Sequence, residues 1–178
     1  EVPEDLTQEV TVPVKTWDFT NGKIFYKQAD KDMVRDGIRF YVKNNPVIFD
    51  AKGFLFGGAA TLADGVPADG GIGIKIAQAG SVVVSTADND DPTALLTISL
   101  DGKPVIGVPA GENNYQYTFA DLTEGEEHMI YIYGTGAIAL TFLQWNDDIE
   151  TDGPKILDTP VLTLDKTSVA SGSGEEVT

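Results

Sequence analysis

Period-two alternation of apolar residues runs through most of this chain. It fixes the class of fold more tightly than any other feature. Ile38, Phe40 and Val42 alternate with Arg39, Tyr41 and Lys43, and Ile72, Ile74 and Ile76 alternate with Gly73, Lys75 and Ala77. In a strand, successive side chains point to opposite faces, so this pattern predicts strands with one face buried. Val10, Val12 and Val14 share one parity while Trp17 and Phe19 share the other, which predicts a bulge or break near Lys15.

Further strands are predicted over Lys23 to Lys27, Pro46 to Phe49, Phe54 to Phe56, Ser81 to Ser85, Ala94 to Asp101, Pro104 to Val108, Tyr115 to Phe119, His128 to Tyr133 and Ala137 to Trp145. Many short strands at this spacing make a sandwich or barrel. Asp101-Gly102, between strands of matching polarity, supplies the positive φ angles of a two-residue type I′ hairpin. Gly57-Gly58, Asp69-Gly70-Gly71 and Gly134-Thr135-Gly136 mark further turns. Asp30 to Gly37 alone reads as a short helix, capped at Asp30 and ended by Gly37, with a charged loop as the alternative. The expected fold is all-β: an antiparallel, jelly-roll-like β-sandwich, with Trp17 and Trp145 buried where the pattern opens and closes.

The last part of the chain changes character. Residues 1–148 read as the sandwich module, and residues 149–160, acidic and turn-rich with Pro154 and Pro160, read as a linker. Residues 161–178, opening with Val161-Leu162-Thr163-Leu164-Asp165-Lys166-Thr167-Ser168-Val169, resemble the first strand of the Ig-like repeats of bacterial surface proteins. Neighbouring domains of the same chain are therefore expected partners.

Charge narrows the ligand classes. Among 178 residues, 28 acidic against 12 basic side chains leave a net charge of -16, which repels phosphate backbones and anionic lipid. Nucleic acid is excluded on this ground. Membrane insertion is not expected either, because no apolar run approaches the roughly 20 residues of a spanning helix. The start, Glu1 to Asp5, is acidic where a signal peptide is basic and then apolar. The chain accordingly reads as secreted or cell-surface with its signal removed. Absence of cysteine excludes disulfides and thiolate metal sites.

No catalytic constellation stands out, and the chain reads as non-enzymatic. His128 is the only histidine, and no G-x-S-x-G elbow accompanies it, so it reads as a partly buried strand residue. The carboxylate pairs Glu124/Glu126 and Asp147/Asp148 fall in turn-like sequence, whereas glycoside hydrolysis needs a pair held across a cleft. Asp88, Asn89, Asp90 and Asp91 form an oxygen-rich loop of the type hard cations accept, without EF-hand spacing. It is the candidate metal site, for a structural calcium ion, and a plain polar turn is its other reading. No other cofactor is indicated.

Sugar rings stack on flat exposed aromatic side chains. Trp17, Trp145, Tyr115 and Tyr117 share parity with core residues, so packing accounts for them. Tyr41 differs, falling on the face that carries Arg39 and Lys43, either exposed or covered by a second sheet. Asn113 and Asn114 present amides in a loop. Tyr41, Arg39, Asn113 and Asn114 are the candidate carbohydrate contacts.

From Thr16 to Trp145 the landmarks run Thr16-Trp17-Asp18-Phe19, Gly53-Phe54-Leu55-Phe56-Gly57-Gly58, Ile72-x-Ile74-x-Ile76, Tyr115-x-Tyr117 and Leu143-Gln144-Trp145. In this order the chain resembles the β-sandwich accessory modules that accompany pectate lyases and related polysaccharide-degrading proteins of gut Bacteroidetes. The resemblance implies a jelly-roll-like sandwich, export to the surface or periplasm, and a role in polysaccharide utilisation through carbohydrate binding. No arginine follows Arg39, and the net charge disfavours polygalacturonate, so a neutral oligosaccharide or polysaccharide is the expected ligand. A structural or adhesive spacer without a ligand is the alternative, and the catalytic domain of a polysaccharide-degrading enzyme ranks third.

Overall fold

A computed structural model of the chain describes residues 16–20, 28–29, 33–42, 47–50 and 52–147. These residues form fifteen strands: β1 Thr16–Asp18, β2 Gln28–Ala29, β3 Met33–Arg35, β4 Ile38–Tyr41, β5 Val47–Asp50, β6 Gly53–Gly57, β7 Thr61–Ala63, β8 Val66–Asp69, β9 Gly71–Ile76, β10 Gly80–Asp88, β11 Leu95–Leu100, β12 Lys103–Pro109, β13 Tyr115–Phe119, β14 His128–Gly134 and β15 Ala137–Asn146. All pairings are antiparallel. One sheet runs β13-β10-β15-β6-β5-β2, with β1 lying beside β15 on the β6 side, and the other runs β12-β11-β14-β9-β4-β3. We call them the first and second sheets. The two-stranded ribbon β7-β8 belongs to neither.

The alternation forces this sandwich. Ile38, Phe40, Ile72, Ile74, Leu96, Ile98, Ile130 and Ile132 of the second sheet and Trp17, Phe54, Phe56, Val82, Val84, Leu140, Leu143 and Trp145 of the first are all buried in one core. Fully burying each large apolar side chain contributes about 1.5–3 kcal/mol. Phe54 bridges the layers, with its ring 5.8 Å from Phe40 of the opposite sheet and 5.6 Å from Phe19, which directly follows β1. Both indoles are buried as expected, Trp17 at 0% and Trp145 at 3% exposure.

From β9 to β15 the chain crosses repeatedly between the sheets, with only β11 and β12 successive in one layer. The crossing from β12 to β13 is pinned at a register irregularity between Ser85 and Thr86 of β10. There the Thr86 hydroxyl donates to the Pro109 carbonyl at 2.6 Å and accepts from the Glu112 amide at 3.1 Å. A bulge re-aims side chains, here turning a hydroxyl onto backbone groups at and just after the end of β12.

One expectation fails. Within the stretch read as a helix from Asp30 to Gly37, residues 33–37 form β3 and a turn into β4, with Arg35 paired to Ile38. Asp36 and Gly37 take φ of 49° and 83°, the same left-handed pair seen at Asp101-Gly102 with 50° and 86°. A type I′ hairpin therefore replaces the helix, for the reason that makes Asp-Gly favourable at any such turn. Asp64-Gly65, at 52° and 83°, closes β7-β8 in the same way. The alternation at Val10 to Val14, the break near Lys15, the strand Lys23 to Lys27, Asp30 itself, the linker at 149–160 and the Ig-like segment at 161–178 lie outside the described residues.

Candidate functional site

The outward face of the second sheet differs in chemistry from its inward face. Alternation that buries Ile72, Ile98, Ile130 and Ile132 sends Gly71, Gly73, Thr97, Ser99, Tyr131 and Tyr133 outward. Register lines them up across the sheet: Arg39 opposite Gly73, Tyr131 and Ser99 in one row, and Tyr41 opposite Gly71, Tyr133 and Thr97 in the next. The two glycines leave room above β9. Met129 and Tyr131 lean over Gly73, where an added Cβ would come within 3.0 Å and 3.2 Å of them.

Tyr41 is half-buried and meets Tyr131 edge-on, with centroids 6.0 Å apart and ring planes at 65°. The two side chains are also hydrogen-bonded. Burial pushes the Tyr131 phenol above its ordinary pKa; the bond to Tyr41 opposes this, the Asp101 carboxylate adds to it and the Arg39 guanidinium opposes it. Burial raises the Tyr133 phenol too.

Over this face folds the β7-β8 hairpin. Pro67 sits where a Gly71 side chain would be, and Asp64, Gly65 and Val66 rest against the backbone turn at Gly102. The Gly70 amide donates to the Tyr41 carbonyl, and the Ala60 amide to the Gly134 carbonyl at 3.1 Å. Beneath and beside it Tyr131, Tyr133, Thr97 and Ser99 are buried, as is Asp69 at the end of β8. The Ser99 hydroxyl is fully buried and has no hydrogen-bond partner.

The expected contacts do not form one site. Arg39 and Tyr41 share β4, near one edge of the second sheet, whereas Asn113 and Asn114 follow β12 at the opposite edge. Four strand spacings separate β4 from β12, roughly 19 Å. Both asparagines are exposed, and the Asn114 amide, at φ 54°, donates to the Ser85 hydroxyl of the first sheet at 2.8 Å. Tyr115 and Tyr117 are partly buried against the core, with the Tyr117 ring 4.9 Å from Phe119.

In the acidic loop, Asp88 Oδ1 accepts the Asp91 amide at 3.2 Å, and Asp91 Oδ1 accepts both the amide and the hydroxyl of Thr93 at 3.1 and 2.8 Å. Asn89 and Asp90 complete the turn, with Asp90 at φ 68°. These carboxylates shape their own loop. Among the described residues, no three histidine or acidic side chains converge to hold a metal ion.

His128 lies at the start of β14 with its side chain 15% exposed, which agrees with a partly buried strand residue. Its Nδ1 is 2.7 Å from Asp101 Oδ2 and its Nε2 is 3.7 Å from Glu126 Oε2. No hydrogen bond reaches Nε2. Asp101 also accepts the Met129 amide at 2.8 Å, so one side chain serves the turn, the histidine and β14 together.

Sequence reasoning missed the outer face. Asp64-Gly65 carries the same hairpin signal as Asp101-Gly102, and Tyr131 and Tyr133 have parity opposite to Ile130 and Ile132, so both clues were present.

No family model matches this chain, and no curated protein matches it. Among solved structures, it is similar to a family two carbohydrate esterase from Clostridium thermocellum in complex with cellohexaose, at 14% identity and a TM-score of 0.38, over 60% of this chain and 30% of that one. An active-site mutant of a family two esterase from the same organism gives 13% identity and a TM-score of 0.39, over 61% of this chain and 32% of that one. The chain thus spans about a third of the length of those esterases.

Proposed function

We propose that this chain is a non-catalytic carbohydrate-binding or accessory module of an extracellular or cell-surface bacterial protein, with Tyr41 and Arg39 as its sugar-facing contacts. One observation carries the reading: a half-buried tyrosine on the outer face of a sheet is held in place by a second tyrosine at 6.0 Å. A ring fixed in advance loses little freedom when a sugar stacks on it. Arg39, beside it on β4, supplies donors for hydroxyl oxygens. The net charge of -16 favours neutral glycans over polyuronates.

One such stack contributes about 1 kcal/mol, so a single site of this kind binds near the millimolar range. Isothermal titration against neutral hexasaccharides of β-glucan, xylan and mannan is the test. Binding is expected, and Tyr41→Ala should abolish it while Asn114→Ala, across the sheet, leaves it unchanged. Loss with Asn114→Ala alone would move the site to the β12-β13 loop. Binding only to polygalacturonate in calcium-free buffer would refute the charge argument. The spacer reading has its own support, since the hairpin buries Tyr131 and Tyr133, and absence of binding to every glycan would establish it over the first.

A further inference from the structure

We propose that the β7-β8 hairpin is a flap, and that a polyhydroxylated ligand binds beneath it on the Thr97, Ser99 and Tyr131 face of the second sheet. This rests on the glycan-binding reading and extends it from a surface stack to an enclosed site. The hairpin is separate from both sheets, and Thr61, Leu62 and Ala63 of its outer strand are all exposed. Glycine pairs flank it, Gly57-Gly58 and Gly70-Gly71, and the first pair stands in open space with no atom within 4 Å of an added side chain. Hinges are short segments that absorb φ and ψ changes, and Gly58, between β6 and the hairpin, is placed to do so. Gly70 and Gly71 instead anchor the other end, through the bond to the Tyr41 carbonyl and the pairing of Gly71 in β9.

What lies beneath is hydroxyl-bearing. Thr97, Ser99, Tyr131 and Tyr133 are 9%, 0%, 8% and 5% exposed, in a layer where the reverse face of the same strands is isoleucine and leucine. Buried polar groups are nearly always hydrogen-bonded, and an orphan costs about 1–3 kcal/mol. The Ser99 hydroxyl is such an orphan, two residues before the turn on which the hairpin tip rests. A sugar hydroxyl both donates and accepts, so it meets that need while a ring edge lies along Tyr131.

Three measurements test this. Because Ser99→Ala removes a hydroxyl without removing a hydrogen bond, it should leave the melting temperature unchanged or raise it, yet weaken binding of the neutral hexasaccharide found by titration about tenfold. Thr97→Val should act in the same direction. Native-state hydrogen exchange of the free chain should show amides of residues 61–68 exchanging at least about 100-fold faster than those of β14, and slowing when the hexasaccharide is added. If a hexasaccharide binds but Ser99→Ala and Thr97→Val bind it equally well, the enclosed site is wrong and the Tyr41 platform stands. Hairpin amides as protected as β14 in the free chain would overturn the flap. No binding to any hexasaccharide would overturn both readings.

Discussion

The indole Nε1 of Trp17 donates to the main-chain carbonyl of Asp36 at 2.7 Å. Trp17 opens the first sheet and Asp36 sits in the β3-β4 turn of the second, so this single bond ties the two layers at one end of the sandwich.

Trp17→Phe should therefore be costly despite keeping an aromatic ring. It leaves the Asp36 carbonyl short of a donor and opens a cavity at a site with no exposure. Urea denaturation should show a loss of about 1–3 kcal/mol. A loss below about 0.5 kcal/mol would mean that water replaces the indole at the carbonyl.

Asp101 invites a pair of substitutions that separate its roles. Asp101→Asn keeps a type I′ turn former and an acceptor for the Met129 amide, and should change stability by less than about 0.5 kcal/mol, since the side chain is half-exposed and its charge is screened. Asp101→Ala loses the turn preference and the acceptor, and should cost about 1–2 kcal/mol. Equal losses for the two would instead assign the effect to the contact between the Asp101 carboxylate and His128 Nδ1.

Alkaline pH should destabilise the fold through its outer-face tyrosines. Burial raises the pKa of Tyr131 and Tyr133, so the folded state holds their protons more tightly than the unfolded chain does. This contribution is complete below the unfolded tyrosine pKa of about 10 and is lost as pH rises through the raised folded values. The melting temperature should fall above about pH 10. Tyr131→Phe with Tyr133→Phe should flatten that fall, and an unaltered fall would place its cause elsewhere.

Chelation should leave the melting temperature unchanged. Asp88 and Asp91 already accept hydrogen bonds within their loop, so no stabilisation from a bound ion is expected. A rise on adding millimolar calcium, reversed by Asp91→Ala, would show that the Asp88 to Asp91 loop holds the cation after all.

Period two is a local property, and it assigns each side chain to one face of its strand. Membership of the core was accordingly legible from Trp17 to Trp145, as were most strands and the Asp101-Gly102 hairpin. The same dipeptide at Asp36-Gly37 was obscured by charged neighbours that suit a helix as well as a strand. Tyr41 was legible as an outward-facing residue of β4, but its partner was not, because Tyr131 lies ninety residues away and meets it only across Gly71 and Gly73.

By itself, then, the sequence determined that the chain makes an antiparallel sandwich and which residues fill it, since alternation and left-handed turn residues act within a few positions. Tertiary structure alone decided which sheet each strand joins, where the β7-β8 hairpin lands, and that Thr97, Ser99, Tyr131 and Tyr133 become a buried polar layer. Parity separates two faces but cannot say what covers the outer one, because that depends on contacts such as Gly65 against Gly102 and Pro67 against Gly71 that form only when distant strands have paired.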